Sequence, residues 1–559
     1  MHRCLTIAEI VSIICDFIQE PSRQDQNILY PRAKNGLCCL ARCCKGLNAH
    51  ATAALWKKLP SIGPLLKTLP AGTFKKNMPK NQFVVVKPIE PAGLGRFHFY
   101  ASLVQELSII WLPDVTCLTA LQFSCSTPLL PHLRSLNWQT LSFTDMPHIM
   151  LFLHPGIARL ELSMPDPHSV ATMSLLPRLH VLCPDISSFH LDGLASFSSE
   201  DALRLASAAP TCWPNLRSLH IPHLAVPDMQ KIAMLPHLRS LFLHSPMDEL
   251  APMPTFDALA FSALRALEVQ PTSMTYGSNL LVAMPSALNV ERFRIMCHDA
   301  PRGEAWPALF QAIVHAFNPK TLREVVLEEY GDYEWDESDH EGPRSITYEQ
   351  LRQITVFSDL AVLSIHCWGG FFVEDDDLLH LGQALPLLET LVLSPGRGEA
   401  REYHATIQGL AHLARHCPRL ESLHLDFTAN DLYYEESLAR DVCQLRLTTL
   451  GVFFSPIKSA RVVAAFLSAI FPNIKSIPSS ESARVFEDDE DEDEEGLEDE
   501  EGKIRQMKWR QVNELLPIFR FVRVQESRGR APRGVRGTDA NEPDLSLNDE
   551  DWDTDFSDL

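Results

Sequence analysis

Three groups of side chains in this 559-residue chain carry atoms or rings that do chemistry or recognition. The first is Cys38, Cys39, Cys43 and Cys44. Thiolates ligate zinc, but a structural zinc site takes separated Cys-x2–4-Cys pairs or added histidines. On a helix Cys39 and Cys43 share a face while Cys38 and Cys39 point apart. The expectation is therefore apolar packing of small thiols, with no metal. The second group is histidine. His180, His220 and His424 each stand one place before the last apolar residue of a Leu-x-x-Leu-x-apolar unit, and His244 and His366 one place after it. If those units are strands, the imidazoles project from one face together with Phe242, Glu268, Val326, Val392 and Ser422. A histidine there changes charge at about pH 6 to 7. Such a surface reads as a site for a partner protein or, equally, as plain solvated positions. The third group is Tyr330, Tyr333 and Trp335, set in the acidic stretch Glu328–Glu341. Aromatics anchor interfaces, so this is a candidate contact loop for a basic partner, against the alternative of a flexible acidic insertion. There is no Walker A loop, Gly-x-Gly-x-x-Gly after a strand, Gly-x-Ser-x-Gly elbow or His-Glu-x-x-His. The chain is expected to be a binding protein, not an enzyme, with no cofactor.

The elements that would position these groups come from a repeat. The pattern Leu-x-x-Leu-x-apolar recurs at Leu118–Phe123, Leu216–Ile221, Leu238–Leu243, Leu264–Val269, Leu322–Leu327, Leu360–Ile365, Leu388–Leu393, Leu420–Leu425 and Leu447–Val452. Weaker copies begin at Leu133, Ile157, Leu176, Val290 and Ile474. Alternation at the end of each unit predicts a short strand with apolar side chains inward. Helix-like segments precede several strands: Asp376–Leu385 before Pro386, Ala405–Cys417 before Pro418, and Arg461–Phe471 before Pro472. In the last of these Val463, Phe466, Leu467 and Ile470 recur at three and four residues, as one buried helix face requires. Proline then stops each helix and sets the turn into the strand. One strand and one helix cannot bury their own apolar faces, but stacked units can. Over residues 115–480 the chain resembles the leucine-rich-repeat family, which implies an α/β curved solenoid with a strand plus a helix per repeat and the strands on the concave side. Its strand spacing is irregular and the asparagine that usually follows the strand is mostly missing.

Residues 5–59 lack the repeat. Leu5, Ile7, Ile10, Ile13, Ile14 and Phe17 form a helical stripe around Glu9 and Asp16, with Thr6 as a cap. Two more helical runs follow, Gly36–Asn48 and His50–Leu59. Three helices in so few residues bury little surface and call for a partner. The order Leu-x-x-x-Glu-Ile then Ile, Leu-x-x-Leu-Ala-x-Cys-x-Lys, then Ala-Leu-Trp resembles an F-box, in the form joined to leucine-rich repeats in fungal proteins. Leu5, Glu9, Ile10, Ile14, Leu37, Leu40, Ala41, Cys43, Lys45 and Trp56 carry the likeness. Leu5-Thr6 replaces the usual Leu-Pro opening, and Leu47 the aromatic after Cys-Lys. The resemblance implies docking of this all-α module onto the Skp-type adaptor of a cullin–RING ubiquitin ligase, with the repeats selecting an unknown substrate protein. The chain would then work as a monomer within that hetero-complex. The alternative is a repeat scaffold unrelated to ubiquitin, its N-terminus serving as a cap.

Charge is distributed unevenly. The formal net charge is −22, and residues 487–559 hold 24 acidic against 10 basic side chains, a net of −14. Glu487–Glu501 has 13 acids among 15 residues and is expected to be disordered. Lys503–Val524 has apolar residues at partly helical spacing, which fits a capping element or a separate amphipathic helix. Clustered Lys and Arg, which phosphate contact needs, are not apparent in the repeats, so no nucleic-acid partner is expected. Scattered cysteines, the absence of a convincing secretory segment and the lack of a long apolar run predict a soluble cytoplasmic or nuclear protein with no membrane partner. The expected organisation is 1–60 F-box-like module, 61–114 connecting segment and start of the solenoid, and 115–480 repeats. An acidic loop at 481–502, a terminal capping element at 503–526 and a disordered tail at 527–559 complete it.

Overall fold

The computed structural model describes residues 7–19, 30–77, 82–110, 115–125, 128–139, 143–163, 174–192, 200–222, 224–244, 253–271, 273–297, 305–329, 345–395, 403–430, 442–478 and 500–530. Three helices open the chain: α1 (Ala8–Gln19), α2 (Tyr30–Cys43) and α3 (Lys45–Lys57). Cys44, in extended conformation, ends α2 and starts α3, so the run expected over Gly36–Asn48 is two helices. The strands follow as β1 (Lys58–Leu59), β2 (Phe74–Asn77), β3 (Gln82–Val85), β4 (Glu106–Ile109), β5 (Ser135–Gln139) and β6 (Arg159–Ser163). Next are β7 (Ser188–Asp192), β8 (Ser218–Ile221), β9 (Ser240–His244), β10 (Ala266–Gln270), β11 (Arg292–Cys297) and β12 (Glu324–Glu329). The last are β13 (Ile346–Thr347), β14 (Val362–Cys367), β15 (Phe371–Phe372), β16 (Thr390–Pro395), β17 (Ser422–Leu425) and β18 (Thr449–Gly451).

Fourteen of these strands make one sheet in which each pairs in parallel with its neighbours in chain order, from β1 and β4 through to β18. The register repeats without a slip at the apolar positions. Leu219 stands opposite Leu241, Leu241 opposite Leu267, and Leu267 opposite Phe293. The column from Leu107 to Leu450 is 2 % exposed or less throughout. Each such side chain stabilises the stack by roughly 1.5–3 kcal/mol through burial. The opposite layer is helical, as where Asp375–Ala384 packs on Ile407–His416. Strands about 4.8 Å apart and helices about 8–10 Å apart cannot stack flat, so the sheet takes the concave side.

Two expected strands are helical. Leu118–Phe123 lies in the helix Val115–Ser124, and the strand of that region is β4. Leu176–Val181 forms two helical turns, Leu176–Arg178 and Leu179–Leu182, and the strand is β7. A Leu-x-x-Leu spacing suits one face of a helix as well as a strand. The third apolar residue decides: Phe123 is 86 % and Val181 67 % exposed, where a strand would have buried them. The sheet also begins before residue 115, with β1 and β4.

The C-terminal helix Glu500–Arg530 packs on the helix Ala460–Ile470. Trp509, Val512 and Leu516 are buried there, and Trp509 Nε1 donates to the Ser455 carbonyl at 2.8 Å. Leu5, Tyr330, Tyr333, Trp335 and the acidic stretch before Glu500 lie outside the described residues. Among the described residues no helix is long and apolar enough to cross a membrane.

Candidate functional site

Strand alternation buries Phe189 and Leu191 of β7 and turns Ser188, His190 and Asp192 the other way. The fixed register then sets unlike side chains side by side on the concave face. Glu161, His190, His220, Phe242, Glu268 and Arg294 occupy one row across β6 to β11. The rings of His190 and His220 stack at 3.7 Å and 16°, and His220 stacks on Phe242 at 3.7 Å and 30°. His190 Nε2 stands 2.8 Å from Asp192 Oδ2, and His220 Nε2 3.4 Å from Asp192 Oδ1. The first contact lies off the hydrogen-bond line, leaving that buried nitrogen without an aligned partner. Ser188, Ser218 and Ser240 are small enough to keep a groove of about 420 Å³ open beside this row. Exposed Arg134, Arg159, Arg217 and Arg239 stand near the starts of neighbouring strands.

The local electrostatics follow from this arrangement. The two imidazoles beside it hold the Asp192 carboxyl well below the usual carboxylate range, against the opposing effect of burial. Burial lowers the His220 pKa, with Asp192 pulling the other way. Glu268 is pushed up by burial, and Arg294, 3.8 Å away, opposes this. A carboxylate and two imidazoles in one groove can accept hydrogen bonds, pair with a cation or coordinate a metal.

The structure brings His220, Phe242 and Glu268 together, with His244 at the end of the same β9 strand. His366 on β14 is in register with Glu328, and His424 on β17 with Gly451. A Cβ at residue 451 would collide with the His424 imidazole, so glycine gives that ring its place. His180 is a correction: it sits on the helical turn Leu179–Leu182, not on the concave sheet. His190 and Asp192 escaped the sequence reading. Their signal is Ile186-x-x-Phe189-x-Leu191, the repeat frame with Ile and Phe in leucine positions.

No family model matches this chain, and no curated protein does. Among solved structures, the complex of Rad7 and Elc1 in yeast aligns at 14% identity and a TM-score of 0.32, covering 59% of this chain and 78% of that one. The leucine-rich repeat-containing protein LegL7 of Legionella pneumophila aligns at 13% and 0.29, covering 62% and 89%. Likenesses this distant carry no functional argument, and the architecture rests on the unbroken ladder of fourteen parallel strands with its buried leucine columns. The fold is a leucine-rich-repeat solenoid.

Ahead of the solenoid, α1 to α3 have a small core of their own: Val11, Cys15, Leu37, Leu47, Ala51 and Ala54. Of the adaptor-binding candidates, Leu37 is 1 % exposed and belongs to that core, and Leu40 and Ala41 pack partly against it. Trp56 stacks on Tyr100 at 4.2 Å and so faces the solenoid. Glu9 and Lys45 are exposed, Ile10 is half-buried, and Ile14 is 37 % exposed. Cys38, Cys39 and Cys43 are exposed, and the Cys43 thiol donates to the Cys39 carbonyl.

Proposed function

We propose that this chain is the substrate-recognition subunit of a Skp–cullin–F-box type ubiquitin ligase. Its N-terminal module would bind the Skp-type adaptor, and the concave face of its repeats a substrate protein. The mechanism is proximity: substrate lysines are held near a ubiquitin-loaded enzyme that this chain does not supply. One observation carries the reading. Helix α1 has two apolar stripes, and among the described residues only one packs into the core of the module. Val11, Cys15 and Ile18 face the module's core. Ile7, Ile10, Ile14 and Phe17, at three- and four-residue spacing about a quarter turn away, remain partly or largely open, with Ile13 beside them. Phe17 is 80 % and Ile13 67 % exposed. An apolar helix face left in water favours a partner helix or groove. With the residues that resemble an F-box, that partner is the adaptor.

The test is co-purification of the full chain with a recombinant Skp-type adaptor, alongside an Ile10→Ser, Ile14→Ser, Phe17→Ser triple variant. The wild type should bind and the variant lose roughly tenfold or more in affinity, since few buried apolar side chains dominate such interfaces. A second reading, a scaffold whose N-terminus is a cap, is favoured by the continuity of α3 into β1 and by the 4.2 Å stack of Trp56 on Tyr100. A wild-type chain that ignores the adaptor would put that reading ahead.

A further inference from the structure

We propose that His190, Asp192 and His220 bind a divalent transition-metal ion of the zinc class on the concave face. The donors come from adjacent strands, His190 and Asp192 from β7 and His220 from β8 in register with His190. One ligand atom from each lies within 4.8 Å of the other two, and no other trio of His, Cys, Asp or Glu among the described residues does so. The 2.8 Å separation runs to Asp192 Oδ2 and the 3.4 Å one to Oδ1, so both match the edges of a coordination shell in which the carboxylate chelates through its two oxygens. Metal–ligand bonds of about 2.1 Å give edges of about 3.0 Å in an octahedron and about 3.4 Å in a tetrahedron. Two imidazoles and a carboxylate suit zinc, cobalt, nickel or ferrous iron, whereas calcium and magnesium take oxygen shells. His190 Nε2, buried without an aligned hydrogen-bond partner, can direct its lone pair to the ion.

The rings lie near parallel, so an ion in the plane of one sits off the plane of the other. Phe242 clamps the far face of His220, which leaves His190 to turn, about a torsion that is broad for imidazole. Glu161, its register partner on β6, lines the same groove and offers a carboxylate to orient the turned ring or complete the shell. Open coordination positions would face the groove, where water or a side chain of a bound protein fills them.

The test uses the full chain with its exposed thiols, among them Cys38, Cys39, Cys43, Cys212 and Cys443, blocked by N-ethylmaleimide. Cobalt(II) is titrated by visible absorption and zinc by calorimetry. One ion per chain is expected, with ligand-field bands but no thiolate charge-transfer band. Affinity should fall at least about tenfold in Asp192→Asn and in His220→Gln, and fall as pH is lowered, because protons compete with the ion for ligand nitrogens. His237→Ala, at an exposed position outside the groove, should change nothing. Asp192 is exposed, so its amide variant keeps the fold, checked by circular dichroism. Absence of binding by the wild-type chain, or wild-type affinity in both folded variants, would overturn the proposal and leave a carboxylate shared by two imidazoles.

Discussion

Burial lowers the pKa of His220, His366 and His424, with Asp192 opposing at His220 and Glu328 at His366. A histidine whose native pKa lies below its unfolded value, near 6.5, favours the folded state while neutral. That stabilisation is complete above the unfolded pKa and is lost as pH falls toward the native one. Acidification from about pH 7.5 to 5.5 should therefore lower the melting temperature, and His366→Gln with His424→Gln should shrink the drop. An equal drop in the double variant would place the pH dependence elsewhere. Thiols obey the same physics with opposite sign, because burial disfavours the thiolate. Cys183 is pushed up to about 11 and Cys417 to about 12. A maleimide should label Cys38, Cys39, Cys43, Cys212 and Cys443 in the native protein and leave Cys117, Cys183, Cys297, Cys367 and Cys417 unmodified until urea is added. Peptide mass spectrometry reads this site by site, and rapid native labelling of Cys417 would contradict the packing of that repeat.

At the scale of elements, Trp509 is the largest of the three buried anchors of the C-terminal helix, beside Val512 and Leu516. Trp509 is 2 % exposed, lies edge-on to Phe427 at 5.8 Å and donates to Ser455. Trp509→Ala should cost about 3–5 kcal/mol, with a cavity and an unpaired carbonyl left behind. Urea unfolding followed by circular dichroism measures it, and a cost below about 1 kcal/mol would mean the helix is held by other contacts. This helix, like the repeat strands, was legible in the sequence because its apolar residues recur at a period that burial dictates. The failures share one physical cause. Leu118–Phe123 and Leu176–Val181 satisfy the strand motif and the helix spacing together, and only the surroundings of Phe123 and Val181 separate the two. Conversely β7 was missed because the Leu176–Val181 match just before it took that repeat's strand position, although Ile186, Phe189 and Leu191 hold the same frame as Val290, Phe293 and Ile295. That one displaced strand moved the site from His180 to His190 and hid Asp192. His220, Phe242 and Glu268 were legible because their strands carry the plain leucine frame. On α1 both apolar stripes can be read from the sequence, but which one meets α2 and α3 is a tertiary choice.

Across the whole molecule, each described strand of the large sheet pairs with its neighbours in chain order, so the apolar core runs as one continuous layer along the array and cohesion is a sum of neighbour terms. The ends differ from the middle. The module helix α3 runs straight into β1, and the C-terminal helix covers the Ala460–Ile470 helix of the last repeat. A cavity placed mid-array should therefore divide the solenoid. Leu391 on β16 is fully buried and in register with Leu363 on β14 and Leu423 on β17. Leu391→Ala removes packing from both neighbours at once and should cost about 2–5 kcal/mol. Only the β14 and β17 interfaces feel that loss directly. Hydrogen exchange should show β4 to β12 keeping their protection while β16 to β18 and the C-terminal helix open more readily. The His190–Asp192–His220 groove, several repeats away, should keep its structure. Uniform loss of protection from β4 to β18 would instead mean that coupling between repeats exceeds the cost of the cavity, so that the array unfolds as one unit. A split would put the β6 to β11 groove under the control of local stability, and the two ends of the solenoid could then change independently of it.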